Sequence, residues 1–387
     1  MINCNKKTIA FLLAACLYCA SVSAQVSNGF GSHGPGPRDW WYTLEQGKLM
    51  FRLGNYSDAL LTFDDARRQR RTMYEQMEHD LIAVLSLSEV RRLGDSLDWI
   101  EQYIQDRRYD DAGNALKELF YRVPRDNFNN SIAAVLKAFD PLKDYPEAEY
   151  WIGETYLVEG ELQLALTQFR KAYSLRNHLE NADFATELLY KIASINRIRQ
   201  EYTEMERVLQ SILNTDPMWI GGGGNATSYA RAAMSRTLEN DDINRFLSLY
   251  RHRDGYTVQA HRILGYYYYG TGRFSRAQEH FMFSFLIQNT IIIDEIKRYR
   301  FDFGSPSGKP EKPLLEQIAA EIKANPILSE YAAKNDYFRN AYYLGSSLYS
   351  NGKTQPAKII WNFLASQDAG EWQVRSITQL RNPRVGE

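Results

Sequence analysis

From Asp39 onward, apolar residues recur every three or four positions, the period of an α-helix lying on a core, and alternating strand-like runs are scarce. In EYWIGETYLVEGELQLALTQFRKAY, Glu149 to Tyr173, the residues Ile152, Gly153 and Tyr156 share one face of a first helix. Gly160 opens a turn, and Leu162, Ala165, Phe169 and Ala172 share one face of a second helix. HRILGYYYYGTGRFSRAQEHFMFS, His261 to Ser284, repeats those offsets with Leu264, Gly265, Tyr268, Gly272, Phe274, Ala277, Phe281 and Ser284. A third copy fits the same frame with Leu344, Gly345, Leu348, Gly352, Ala357, Trp361 and Leu364.

The offsets have a physical logic. A glycine on the first helix and an alanine on the second let the two axes approach, since interaxial distance follows side-chain size at the crossing. The turn glycine takes the left-handed conformation where the first helix ends. Gly47, Gly54, Tyr56, Ala59, Phe63 and Ala66 make another good copy. Tyr109, Ala112, Leu116, Leu119 and Pro124 make a weaker one, as do Ile192, Ala193, Tyr202, Leu209, Ile212 and Pro217. Tyr229 to Arg251 reads as a degenerate copy. This spacing resembles the tetratricopeptide repeat family, a helix–turn–helix unit of about 34 residues. The resemblance implies an all-α superhelical solenoid in which Gly47/Ala59, Gly153/Ala165, Gly265/Ala277 and Gly345/Ala357 set the close crossings.

The copies are not evenly spaced, so extra helices must intervene. The pattern predicts a long helix over Thr72 to Arg92, a short one over Asn129 to Phe139, a loop in FDFGSPSGKPEKP, Phe301 to Pro313, and helical LLEQIAAEIKANPILSEYAAK after it. EWQVRSITQLR, Glu371 to Arg381, reads as a capping helix with Trp372, Ile377 and Leu380 on its apolar side. The expected organisation is a signal over 1–24, a Gly/Pro-rich leader over 25–39, repeats with extra helices over 40–300, an insertion over 301–337, and a last repeat with its cap over 338–387.

SSLYSNGKTQPA, Ser346 to Ala357, comes within one glycine of a phosphate-cradling G-x-x-x-x-G-K-[ST] loop. That loop needs a buried strand before it, and NAYYLGSSLYS has helical spacing instead. Gly352 also aligns with Gly54, Gly160 and Gly272, none followed by Lys-Thr, so the turn reading explains all four.

The amino-terminal stretch MINCNKKTIAFLLAACLYCASVSAQ has charged Lys6 and Lys7, an apolar run from Thr8 to Ala20 too short to span a bilayer, and small Val22-Ser23-Ala24 before Gln25. It reads as an export signal. Cleavage there leaves 44 basic against 47 acidic side chains, a net of about −3, which gives no reason to expect nucleic acid. Cys4, Cys16 and Cys19 all lie in this segment, so the mature chain has no disulfide and depends on a large core. Leu13-Ala14-Ala15-Cys16 resembles a lipobox, leaving two alternatives: a free periplasmic protein, or one lipid-anchored through Cys16.

No Ser-His-Asp, Cys-His or paired-carboxylate arrangement stands out among the residues, so the expectation is a non-enzyme with no cofactor and no metal. His261 and His280 share one hairpin and could approach each other as a metal site; exposed helix residues are the ordinary alternative. ARRQRR, Ala66 to Arg71, reads as the solvated end of a second helix, with a basic partner site as the alternative. GGGG, Gly221 to Gly224, reads as a flexible loop.

In the tetratricopeptide family the first helix of each hairpin lines a concave groove. Carried over copy by copy, the groove position falls on Leu44, Tyr150, Tyr190, Arg262 and Tyr342, and further along on Phe51, Arg197, Tyr266, Tyr269 and Tyr349. Aromatics and arginines are favoured anchors in binding surfaces. The alternative is that these tyrosines pack against insertions or neighbouring helices. The expected function is a non-catalytic scaffold of the bacterial cell envelope that binds a partner protein or peptide in the groove, as in outer-membrane, secretion or flagellar complexes. The alternative function is a periplasmic small-molecule binding protein associated with a transporter, its pocket formed by Phe301 to Asp336.

Overall fold

The computed structural model describes residues 40–85, 102, 143–179, 181–220, 229–239, 243–253, 255–301, 303 and 313–386. Among them every regular element is helical and none is a strand. The expected signal, leader and Cys16, the weaker copy around Tyr109 to Pro124, the helix over 129–139 and the GGGG loop lie outside the described residues.

Five helical hairpins share one construction. They are α1 (Trp40–Arg52) with α2 (Tyr56–Leu85), α3 (Pro146–Val158) with α4 (Leu162–Ser174), α5 (Asp183–Ile198) with α6 (Tyr202–Leu213), α10 (Val258–Gly270) with α11 (Phe274–Lys297), and α14 (Tyr337–Ser350) with α15 (Thr354–Ala365). Between α6 and α10 come α7 (Pro217–Ile220), α8 (Tyr229–Glu239) and α9 (Ile243–Leu249). Between α11 and α14 come α12 (Leu314–Ala324) and α13 (Pro326–Lys334), and α16 (Glu371–Arg381) ends the chain.

The small residues do what their spacing predicts. A Cβ at Gly47 would fall 2.5 Å from the Phe63 ring, one at Gly153 2.8 Å from Phe169, one at Gly265 2.7 Å from Phe281, and one at Gly345 2.7 Å from Trp361. Each aromatic of the second helix therefore packs directly against bare backbone of the first. Ala59, Ala165, Ala277 and Ala357 are fully buried at the same crossings. The fifth hairpin, α5/α6, replaces the pair together: Ala193 stands at the glycine position and Leu209 at the aromatic one, both buried. A methyl group gained on one helix is matched by a smaller side chain on the other, which keeps the contact close-packed.

The turns also recur. Gly54, Gly160, Gly272 and Gly352 have φ of +81°, +85°, +72° and +77°. At Gly352 the backbone N–H donates to Tyr349 O at 2.9 Å and Lys353 N–H to Leu348 O at 2.9 Å, the paired bonds of a left-handed helix stop. G-K-T is thus a helix-ending turn. Gln200 takes the same place in α5/α6 with φ of +62° and the same bonds, Gln200 N to Arg197 O at 3.1 Å and Glu201 N to Asn196 O at 2.8 Å. Gln200→Gly is expected to raise stability by about 1 kcal/mol, because the Cβ penalty disappears and the bonds remain. A shift of the urea midpoint to lower concentration would contradict this.

The chain divides into two compact units that meet within α5, at Leu188 and Leu189. In the first, Phe63 and Ala66 of α2, Ile152 of α3 and the fully buried Tyr145 build one core, with Trp151 and Phe51 packed against it. Glu149 is 0% exposed at its centre and accepts from Arg67 at 3.2 Å and Lys171 at 2.6 Å, which ties α2, α3 and α4 together. A carboxylate buried this deeply requires such partners.

Two sequence expectations are corrected here. The helix expected over Thr72 to Arg92 has no separate start: α2 runs unbroken from Tyr56 to Leu85. No glycine or proline interrupts that stretch. ARRQRR is consequently mid-helix, not a solvated end. Arg70 is buried with its guanidinium 4.6 Å from the Tyr145 ring, Arg67 pairs with Asp64 and Glu149, and Arg71 pairs with Asp144 at 2.9 Å.

In the second unit, α11 is the axis. Every residue from His280 to Thr290 is buried. A helix buried around its whole circumference has to be enclosed; α10 and α14 pack along α11, and α12 adds to the cover. Ile243 and Phe246 of α9 and Ile318 and Ile322 of α12 are themselves buried, His252 N–H just beyond α9 donates to Thr290 of α11 at 3.0 Å, and Asn244 of α9 accepts from the Leu315 N–H at 3.0 Å. Toward α14 the contact carries a polar ladder: Asn351 donates to Gln278 at 3.0 Å, Asn340 to Gln288 at 2.9 Å, and Tyr337 to Asn289 at 2.9 Å. Satisfied pairs of this kind fix the register of two antiparallel helices.

Candidate functional site

The residues expected in the groove separate into two sets. Tyr150 and Tyr342 are 5% and 2% exposed and lie in the core, not on an open face. Tyr150 donates to Glu187 and meets the Phe184 ring edge-on at 5.2 Å, both on α5. Burial, and then the Glu187 carboxylate, push its phenol pKa upward. Tyr342 lies 5.5 Å from Trp372 of α16. Tyr190 OH donates to Tyr256 O and accepts from Ala260 N–H at 3.1 Å, at the entrance to α10. Arg262 donates to Asn335 O at 2.7 Å and pairs with Asp336 at 3.3 Å, at the entrance to α14. This position therefore reaches across to the start of the next first helix; it joins successive hairpins. Leu44 is likewise buried, and Phe51 packs on Tyr56 and Trp151 at 5.5 Å each. Tyr349 lies against Trp361 at 5.7 Å, and Arg197 is exposed.

Tyr266 and Tyr269 belong to a different setting. Both are half-buried on α10, and both meet Tyr343 of α14, at 5.2 and 5.1 Å, in edge-to-face geometry. Tyr343 in turn lies 5.9 Å from Trp372 on α16. Three helices thus contribute one continuous aromatic face. The guanidinium of Arg339 sits 4.6 Å from the Tyr266 ring and 6.0 Å from that of Trp372, and Arg375 sits 5.2 Å from Trp372. Arg375 has Glu371 one turn away at 3.4 Å, whereas Arg339 has no carboxylate partner among the described residues. The Tyr266 hydroxyl is buried without a hydrogen-bond partner, and burial pushes its pKa upward.

Tyr343, Arg339, Trp372 and Arg375 were not singled out by the repeat frame. Arg339 and Tyr343 are four residues apart on α14, and Trp372 and Arg375 three apart on α16, so each pair shares a helix face. That pairing was the available signal.

A second cluster surrounds the two histidines. His261 of α10 and His280 of α11 are buried, not exposed helix residues, with their Nδ1 atoms 3.0 Å apart. Trp219 of α7 packs on both rings at 4.8 Å, and Arg231 of α8 lies 4.4 Å over Trp219 while pairing with Glu279 at 3.0 Å. Nearby, buried Asp216 accepts from Met218 N–H at the start of α7 and contacts His252 Nε2 at 2.7 Å. No group of three or more His, Cys, Asp or Glu side chains among the described residues is placed to hold a metal ion. No described helix is long and apolar enough to cross a membrane.

The chain is an all-α protein whose helices pack in adjacent pairs, with an aromatic face across α10, α14 and α16. No family model matches it. It is similar to an uncharacterized protein of Treponema pallidum (strain Nichols), 27% identical over 333 residues, which covers 85% of this chain and 86% of that one.

Proposed function

We propose that this chain is an exported scaffold of the bacterial envelope, without catalytic activity of its own, that holds a partner protein against the α10–α14–α16 face. In this reading the five hairpins are tetratricopeptide-like units of a solenoid, with α7–α9 and α12–α13 inserted between them. The reading rests on one observation above all: Tyr266, Tyr269, Tyr343 and Trp372 form a half-buried aromatic surface across α10, α14 and α16. Rings of this kind offer large contact area for few rotatable bonds.

The test is site-specific photocrosslinking in cells, with a benzophenone amino acid in place of Tyr269 or Tyr343 and, as control, in place of exposed Asn362 on α15. The expected result is one discrete protein adduct at Tyr269 and Tyr343 and none at Asn362. Absence of a protein adduct at both tyrosines would overturn the reading.

A further inference from the structure

Resting on the reading of this face as a docking surface, we infer that its occupant is an extended peptide segment with Asp or Glu at alternate positions. The argument begins with charge. Of the three arginines around the face, Arg262 is engaged with Asn335 and Asp336 at the α14 entrance. Arg375 has a single exposed partner, Glu371, on its own helix. Arg339 is exposed, lies over two rings and has no carboxylate within the described residues. A guanidinium held on aromatic faces keeps its donors free and loses little rotamer freedom when a carboxylate arrives. The face is therefore prepared for anions before any partner binds.

Geometry bounds the spacing. The Arg339 and Arg375 guanidinium groups flank the same indole, 6.0 and 5.2 Å from its centre, which places them within about 11 Å of each other. In an extended chain, side chains two residues apart point the same way at about 7 Å separation. Carboxylates at i and i+2 fall within that bound, since each side chain also supplies reach. The intervening residues then face the other way. The face spans three adjacent helices, about 20 Å at ordinary interaxial distances, which accommodates about six extended residues.

The experiment measures fluorescence anisotropy of the full mature chain with three labelled peptides of about eight residues: alternating Glu-Tyr, Gln-Tyr and Lys-Tyr. The expected result is that the Glu-Tyr peptide binds about tenfold tighter than Gln-Tyr, or about 1.4 kcal/mol, that Lys-Tyr binds weakest, and that added salt narrows the differences. In the double variant Arg339→Gln/Arg375→Gln the Glu-Tyr peptide should fall to the Gln-Tyr level while the Gln-Tyr affinity stays put. Both arginines are exposed, so circular dichroism of the variant should match the wild type. Equal binding of Glu-Tyr and Gln-Tyr, no binding of either, or a preference that survives the double substitution would each overturn the inference. So would a dimer in sedimentation velocity that dissociates in the double variant, since a second copy would then be the occupant. The two readings fail separately. A protein crosslink at Tyr269 that persists in the double variant leaves the scaffold standing and removes the acidic-peptide assignment. Loss of the crosslink in wild type removes both.

Discussion

Gly153→Leu is expected to lower the stability of the α3/α4 hairpin by more than about 3 kcal/mol. Its first added carbon alone would lie 2.8 Å from the Phe169 ring, and that ring is fully buried with no direction in which to retreat. The milder Gly153→Ala carries the same first clash, partly offset by the better helix propensity of alanine, and is expected to cost about 2 kcal/mol. Phe169→Leu alone leaves a gap and costs about 1–2 kcal/mol. The double variant reproduces what α5/α6 already has in Ala193 and Leu209, and is expected to recover about 1–2 kcal/mol of the summed losses. Urea unfolding of the four proteins in the cycle decides it. Strict additivity would mean that glycine and aromatic do not fit each other, and that the recurring frame has some other origin.

Acid is expected to weaken the second unit through the histidine pair. Burial holds both imidazoles neutral. The pKa of His261 is driven well below its usual value, and that of His280 is lowered to about 3, where Arg231 and Arg276 add to the effect of burial. The native state thus binds fewer protons than the unfolded chain once pH falls below about 6.5. Stability is full above that value and declines as pH drops toward about 3. From His280 alone the loss between about pH 8 and about pH 4 is on the order of 3 kcal/mol. The charged groups around the pair are Arg231, paired with Glu279, and Arg276, with the Asp216–His252 contact nearby. His280→Gln should flatten the dependence of the urea midpoint on pH. A wild-type midpoint that stays level over that range would disprove the coupling.

Much of this architecture is legible in the sequence because it is local. A glycine and an aromatic sixteen positions apart, with a turn glycine between, are settled by one hairpin's own geometry, and 47/63, 153/169, 265/281 and 345/361 repeat it. The α16 boundaries are equally local. What cannot be read is which way a tyrosine faces when the answer comes from another hairpin. Tyr150 is buried by Phe184 and Tyr342 by Trp372, neither of which belongs to its own repeat. The true aromatic face was partly seen in Tyr266 and Tyr269, but its centre, Tyr343, is one residue from the position the frame selected. Likewise α2 outlasts its repeat because nothing in its sequence stops it, and periodicity alone does not mark an end.

The enclosure of α11 has a mechanical consequence. In an ordinary repeat array each hairpin answers to its two neighbours, and unfolding can creep inward from either end. Here α9, which precedes α11, is hydrogen-bonded through Asn244 to α12, which follows it, and His252 beyond α9 is bonded to Thr290 of α11, so chain from both sides of α11 is tied together. The second unit is braced around α11. Pulled from its ends, this region should yield in a single rupture rather than as a series of small steps.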